Sequence, residues 1–169
     1  MILSAFTVFH VLLSLAGIAS GLVILYGLLT NKRFDGSTKL FLVTTVATSV
    51  TGFLFPVHQF MPGHAVGILS LIVLVLAILG RYRFHLAGAW RRTYVISAAI
   101  ALYLNVFVLI VQMFQKVPAL HALAPTQSEP PFQIAQLATL VLFAVLTIRA
   151  AIKFRGDEPA KAVATAGGR

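Results

Sequence analysis

The sequence predicts an all-α fold: a transmembrane helical bundle of five membrane-spanning helices, with the N-terminus outside and the C-terminus cytoplasmic. Three observations carry this reading. The first is composition. Of 169 residues, 59% are hydrophobic and only 10% charged, with a mean hydropathy of +0.96, whereas about a quarter of a soluble domain is charged. The second is placement. No Asp, Glu, Lys or Arg occurs in 1–31, 40–80, 93–115 or 130–148, and roughly 20 apolar residues cross the ~30 Å hydrocarbon layer. The third is the alternation of basic residues between loops, which sets orientation.

The spans are expected at about 2–29, 40–56, 64–80, 93–114 and 130–150. The first resembles a signal peptide in offering Gly17-Ile18-Ala19 as a small-x-small cleavage pattern. No basic residue precedes it, however, and the apolar run continues to Lys32 and Arg33, which favours a retained helix. The second ends at Pro56, and the turn His58-Gln59-Phe60-Met61-Pro62-Gly63-His64 leads into the third. A basic loop, Arg81 to Arg92, precedes the fourth, with Tyr82, Trp90 and Tyr94 as interfacial anchors. The loop Gln115 to Ser128 carries only Lys116 as a charged residue. In Ser128-Glu129-Pro130-Pro131 we read Ser128 as the N-cap of the fifth helix, followed by an acid and by prolines where a missing N–H costs least. Residues 1–155 form one transmembrane domain, and 156–169 a flexible cytoplasmic tail.

Lys and Arg then divide twelve to one. Lys32, Arg33, Lys39, Arg81, Arg83, Arg91, Arg92, Arg149, Lys153, Arg155, Lys161 and Arg169 lie on one side and Lys116 alone on the other; the rich side is the cytoplasm. A four-span chain with one re-entrant segment would break this alternation. The net charge of +9 thus belongs to span ends and anionic headgroups, and no nucleic-acid partner is implied. The absence of cysteine removes thiolate metal sites and redox relays. No span carries a carboxylate for proton coupling, and no phosphate-binding loop or Gly-x-Ser-x-Gly nucleophile pattern occurs.

In hydrocarbon a polar side chain needs a partner, so its depth is informative. From the outer interface, at 1.5 Å per residue, His10 and Thr51 lie roughly 10 Å deep and Asn105 roughly 15 Å. Gln112 and Gln136 are shallower. These five, His10, Thr51, Asn105, Gln112 and Gln136, are the candidate lining of an outward-facing ligand pocket; the plainer alternative is helix-to-helix hydrogen bonding worth about 1 kcal/mol or less each. The inner halves, such as Leu140-Val141-Leu142-Phe143-Ala144-Val145, hold nothing that carries an ion. Four of five histidines fall on the outer side, and His58-x-x-Met61-x-x-His64 together with His10 offers an alternative: haem or copper, in an electron-transfer protein. Without that alternative no cofactor is expected. On the first span Thr7, His10, Ser14, Gly17 and Gly21 form one small, polar stripe. We expect it to pack internally against the Thr44 to Gly52 cluster, with a dimer face as the other use of such a stripe.

Ser49-Val50-Thr51-Gly52-Phe53-Leu54-Phe55-Pro56, Ala101-Leu102-Tyr103-Leu104-Asn105-Val106-Phe107 and Ala124-Pro125-Thr126-Gln127-Ser128-Glu129-Pro130-Pro131-Phe132 resemble stretches of a family of short, uncharacterised bacterial polytopic membrane proteins. The resemblance covers most of the chain to about Arg155. It implies a bacterial inner membrane and carries no activity or functional residue with it. The expectation is therefore a non-enzymatic inner-membrane protein, an accessory or an outward-facing ligand binder. Its partners are membrane lipids and a homo-oligomer or larger membrane complex. The alternatives are the haem or copper protein and a small uncoupled permease.

Overall fold

The computed structural model describes residues 2–55 and 62–156. Among them the chain is helical without strands: α1 (Ile2–Thr30), α2 (Asp35–Gly52), α3 (Pro62–Ile78), continued by a π-helical turn Leu79–Arg83, α4 (Ala89–Lys116), α5 (Pro118–Leu123) and α6 (Pro130–Lys153). Four helical stretches, 4–30, 63–83, 89–116 and 130–153, are long and apolar enough to cross a membrane. α2, the remaining expected span, departs from that pattern: its 18 residues include Asp35, Lys39 and a series of threonines and serines.

What α2 does with its hydroxyls explains the difference. Thr38, Thr44, Thr45 and Ser49 are buried, while Leu40, Val43 and Val50 are exposed, so α2 turns its polar face inward and its aliphatic face outward. Thr38, Thr44 and Thr51 donate to carbonyls of Phe34, Leu40 and Ala47 at 2.9, 2.7 and 2.7 Å, which satisfies them without water. The same outward pattern runs through the other long helices: Leu12, Leu22, Ile72, Val75, Val141 and Ile148 are all at least half exposed. A water-soluble fold does not leave aliphatic surface on this scale uncovered.

α1, α2, α3 and α4 close a ring in which each packs on the next and α4 returns to α1, while α6 lies outside against α4 and α1. α4 is the central helix. Half of its most apolar stretch is buried, against 11% for α6. Antiparallel pairing of α1 and α2 is set by small residues: the Cα of Gly17 faces the Thr44 and Thr45 hydroxyls, and Gly21 faces Phe41. The Gly17-x-x-x-Gly21 stripe is therefore consumed inside one chain. Farther along, a layer of Phe41, Leu74, Ala77, Ala98, Ala101 and Leu102, each at most 1% exposed, closes the ring.

One end of the bundle is basic. α1 ends on Asn31 in the left-handed region (φ 55°), and the Lys32 amide reaches back to the Gly27 carbonyl at 2.8 Å, the C-cap arrangement that asparagine tolerates. The Asn31 carboxamide oxygen accepts from the Arg155 amide at 2.8 Å, and Arg91 donates to the Arg155 carbonyl at 3.0 Å. Asp35 pairs with Arg81 and lies 3.7 Å from Arg33. These bonds gather the α1–α2 connection, the end of α3, the start of α4 and the end of α6. The three basic clusters that alternate along the sequence are thus brought to one face.

Two local expectations change. The loop Gln115–Ser128 contains a helical turn, α5, begun by Pro118. The N-cap of α6 is Glu129, not Ser128: its backbone is extended and its carbonyl accepts from the Phe132 and Gln133 amides at 3.1 and 3.2 Å, while its carboxylate accepts from the Thr126 hydroxyl and amide and the Ser128 amide at 2.9, 3.1 and 3.1 Å. Desolvation, the largest single influence, raises the carboxyl, but the hydrogen bonds to it together outweigh that and hold it below its ordinary value. The expected tail beyond Gly156 and most of the 58–64 turn lie outside the described residues.

Candidate functional site

At the end opposite the basic face, the ring of α1 to α4 opens into a cavity of about 550 Å³. The size falls in the roughly 300–1,000 Å³ range of small-molecule sites. Its lining sorts into three levels by position along the helices. The floor is made by Ser14, Leu15, Thr48, Ser49, Ser70, Leu104 and Asn105. Above it comes an apolar waist with Val11, Phe53, Val66, Val108 and Leu109. The mouth carries Thr7, Phe55, His64, Gln112, Met113 and Lys116.

The floor exists because of spacing on two helices. Thr45, Thr48 and Ser49 fall on one side of α2 at three- and four-residue intervals, and Asn105 of α4 meets them across the ring. Asn105 is 8% exposed, and its Nδ2 donates to the Thr45 hydroxyl at 3.3 Å. Ser49 donates to Ser70 at 3.1 Å, joining α2 to α3. The Thr48 hydroxyl is buried without a partner among the described residues. Each bond here links two helices, and an amide or hydroxyl in hydrocarbon has no water to return to.

His10 stands halfway up the α1 wall. Its Nδ1 lies 2.8 Å from the Thr51 hydroxyl, and that hydroxyl donates onward to Ala47, so the imidazole Nδ1–H donates to Thr51 and the ring is held. Phe55 packs against it in a T-shaped arrangement at 5.1 Å and also contacts Phe6 at 4.9 Å. Across the cavity His64 of α3 stacks on Phe53 at 5.6 Å.

Of the five expected pocket residues, His10, Asn105 and Gln112 line the cavity, and Thr51 stands behind His10 as its hydrogen-bond partner. Gln136 does not join them. It sits between α6 and α4, where Nε2 donates to the Phe107 carbonyl at 3.2 Å and Oε1 is buried without a partner. Depth alone placed it with the others, but it lies on the outer side of α4. Of the metal candidates, His10 and His64 share the cavity, while His58 and Met61 lie outside the described residues. No group of three His, Cys, Asp or Glu side chains is assembled among the described residues. Sequence reasoning missed Ser70, the aromatic pair Phe53 and Phe55, and Lys116. The signal for Lys116 was present, as the one basic residue separated from twelve others.

The cavity does not continue to the basic face. Below Asn105, Leu102 and Phe41 meet at Gly21, where an added Cβ would stand 2.5 Å from the Leu102 methyl and 3.0 Å from the Phe41 ring. Leu74, 1% exposed, belongs to the same layer, and Tyr94, also 1% exposed, packs farther down at Gly80. No family model, curated protein or solved structure matches this chain.

Proposed function

We propose that this chain is a five-span inner-membrane protein, N-terminus outside and C-terminus cytoplasmic, that binds a small amphipathic ligand in a cavity open to the outer side. The single observation that carries the binding reading is the one-ended cavity: apolar walls, a few convergent polar groups at defined heights, and a packed layer beneath. α2 supports the fifth span. Although weakly apolar, it runs beside α1 from Phe34 near Gly27 to Thr51 at His10, and its 18 residues reach about 27 Å, close to the hydrocarbon thickness. The basic face then falls on the cytoplasmic side. Transport is not part of this reading, since a conduit would have to part the Phe41, Leu74 and Leu102 layer.

Single cysteines are expected to report this topology in intact cells. At Gly63 and Thr126 they react with an impermeant maleimide added outside, and at Gly36 they react only after the membrane is broken. Reversed labelling inverts the orientation, and outside labelling at all three removes α2 as a span.

For binding, the probe is the apolar fluorophore N-phenylnaphthylamine added to protein in phosphatidylcholine nanodiscs. A saturable fluorescence gain is expected for the wild type and its loss for Leu109→Trp, which fills the waist. Equal gain from both proteins removes the cavity as the binding place. One observation favours a second reading: His10 and His64 line the same cavity, and His10 is held through Nδ1, the way ligating histidines are oriented. The purified protein is expected to be colourless; a Soret band lost in His10→Ala would replace the amphiphile with haem.

A further inference from the structure

We infer that the cavity takes a single-chain amphiphile with an anionic head, a carboxylate or phosphate, held at the mouth by Lys116 with its tail lying down the waist toward Asn105. The inference rests on the cavity being a ligand site and adds its chemical class and orientation.

Charge carries the argument. Twelve of the thirteen Lys and Arg residues belong to the basic clusters and the chain end that follows them. The thirteenth, Lys116, lines the mouth. Glu129 is the acidic residue nearest it in sequence; Asp35 is at the basic face and Asp157 and Glu158 follow α6. The Glu129 carboxylate is already committed to Thr126 and Ser128, so no carboxylate among the described residues pairs with Lys116. A lysine in the last turn of a helix is favoured by the helix dipole, and this accounts for its place on α4. It does not account for the apolar-walled cavity beside it.

Orientation follows from which polar groups are spent. At the floor, Ser49 is bonded to Ser70 and Asn105 to Thr45; the uncommitted Thr48 hydroxyl is an uncharged group, so an anionic head there would meet no counter-charge in the low-dielectric interior. The mouth offers an ammonium with three donors and, among the described residues, no partner to displace. From Lys116 to Leu104 the lining runs twelve residues of α4, about 18 Å, so a tail entering at the mouth traverses Met113, Leu109 and Val108 before reaching the floor. The charged head then stays at the interface, where an ion is least costly, and only the chain enters the low-dielectric interior.

The test is competition against radiolabelled laurate on the full-length protein in phosphatidylcholine nanodiscs. Laurate or lauryl phosphate is expected to compete at least about threefold better than lauryl alcohol, and better still than dodecyltrimethylammonium, as an interfacial ion pair allows. Whichever anion competes more strongly identifies the headgroup. Lys116→Gln should weaken laurate about three- to tenfold and leave lauryl alcohol unchanged, and Lys116→Arg should restore laurate. Equal competition by the cationic and anionic probes, or an unaltered Lys116→Gln, overturns the charge assignment while the alcohol still binds and Leu109→Trp still abolishes it. Failure of every probe on the wild type, the alcohol included, overturns the cavity reading itself.

Discussion

Gly21→Leu is expected to cost about 3 kcal/mol or more, at the upper end of what overpacking a filled interior does, and to lower the thermal midpoint on the order of 10 °C. The reason is local. Leu102 and Phe41, 1% and 0% exposed, already crowd the place a first side-chain carbon would take. A leucine must push α1 off both α2 and α4, and the loss spreads to the Asn105–Thr45 bond one turn away. Gly21→Ala should fall between: removing glycine from a helix contributes roughly 0.5–1 kcal/mol, which offsets part of the clash. Gly36→Leu is the control, since nothing lies within 4 Å of its added carbon. Thermal unfolding monitored by circular dichroism in detergent separates the three. If Gly21→Leu is as stable as the Gly36 control, the small-residue seam does not lie inside the monomer.

The second large effect is an asymmetry at the basic face. Asp35→Ala should destabilise by about 2 kcal/mol, and Arg81→Met by clearly less. The Arg81 side chain is 6% exposed, whereas Asp35 is 73% exposed. Removing the carboxylate leaves a nearly buried guanidinium beside the Tyr94 ring, 5.4 Å from its centre, and with Arg33 nearby. Breaking a fully buried pair costs about 3–5 kcal/mol; the wet Asp35 side reduces that. Removing the arginine instead frees an aspartate that water already reaches, and methionine refills its volume. A double-mutant cycle read by denaturant unfolding measures the pair, and a larger loss for Arg81→Met than for Asp35→Ala contradicts the argument.

Height along the membrane normal was legible in the sequence because helical rise is constant. His10 and Thr51 were placed at one level and they share a hydrogen bond; Asn105 was placed deeper and it forms the floor. Rotation about the helix axis was not legible. Gln136 has a depth compatible with the pocket, but its position on α6 turns it toward the Phe107 carbonyl, and only the packing of α6 outside the ring decides that. α2 illustrates the converse. Its threonines lower its hydropathy, so by composition it falls short of the four span-like helices, yet the same threonines at three- and four-residue spacing form the inward face that meets Gly17. Hydropathy counts polar atoms without asking whether a carbonyl one turn back satisfies them. α5 escaped because a single helical turn leaves no periodic trace, and the α6 cap because Ser128 and Glu129 compete for one role that only backbone geometry assigns.

The sparse burial of α6 has a consequence for how the protein is assembled. Phe143 and Ala150 are its buried residues, and its remaining grip on α4 consists of contacts such as Gln136 to Phe107 and Tyr103 to Phe143. The cavity walls are all contributed by residues up to Val117, so during synthesis every residue that lines the cavity precedes α6 out of the ribosome. α6 then docks from outside onto α4 and α1. Elements with few buried contacts open at the lowest free energy, which makes α6 the part of the bundle that exchanges its neighbours for lipid most readily, while the chamber stays closed behind it.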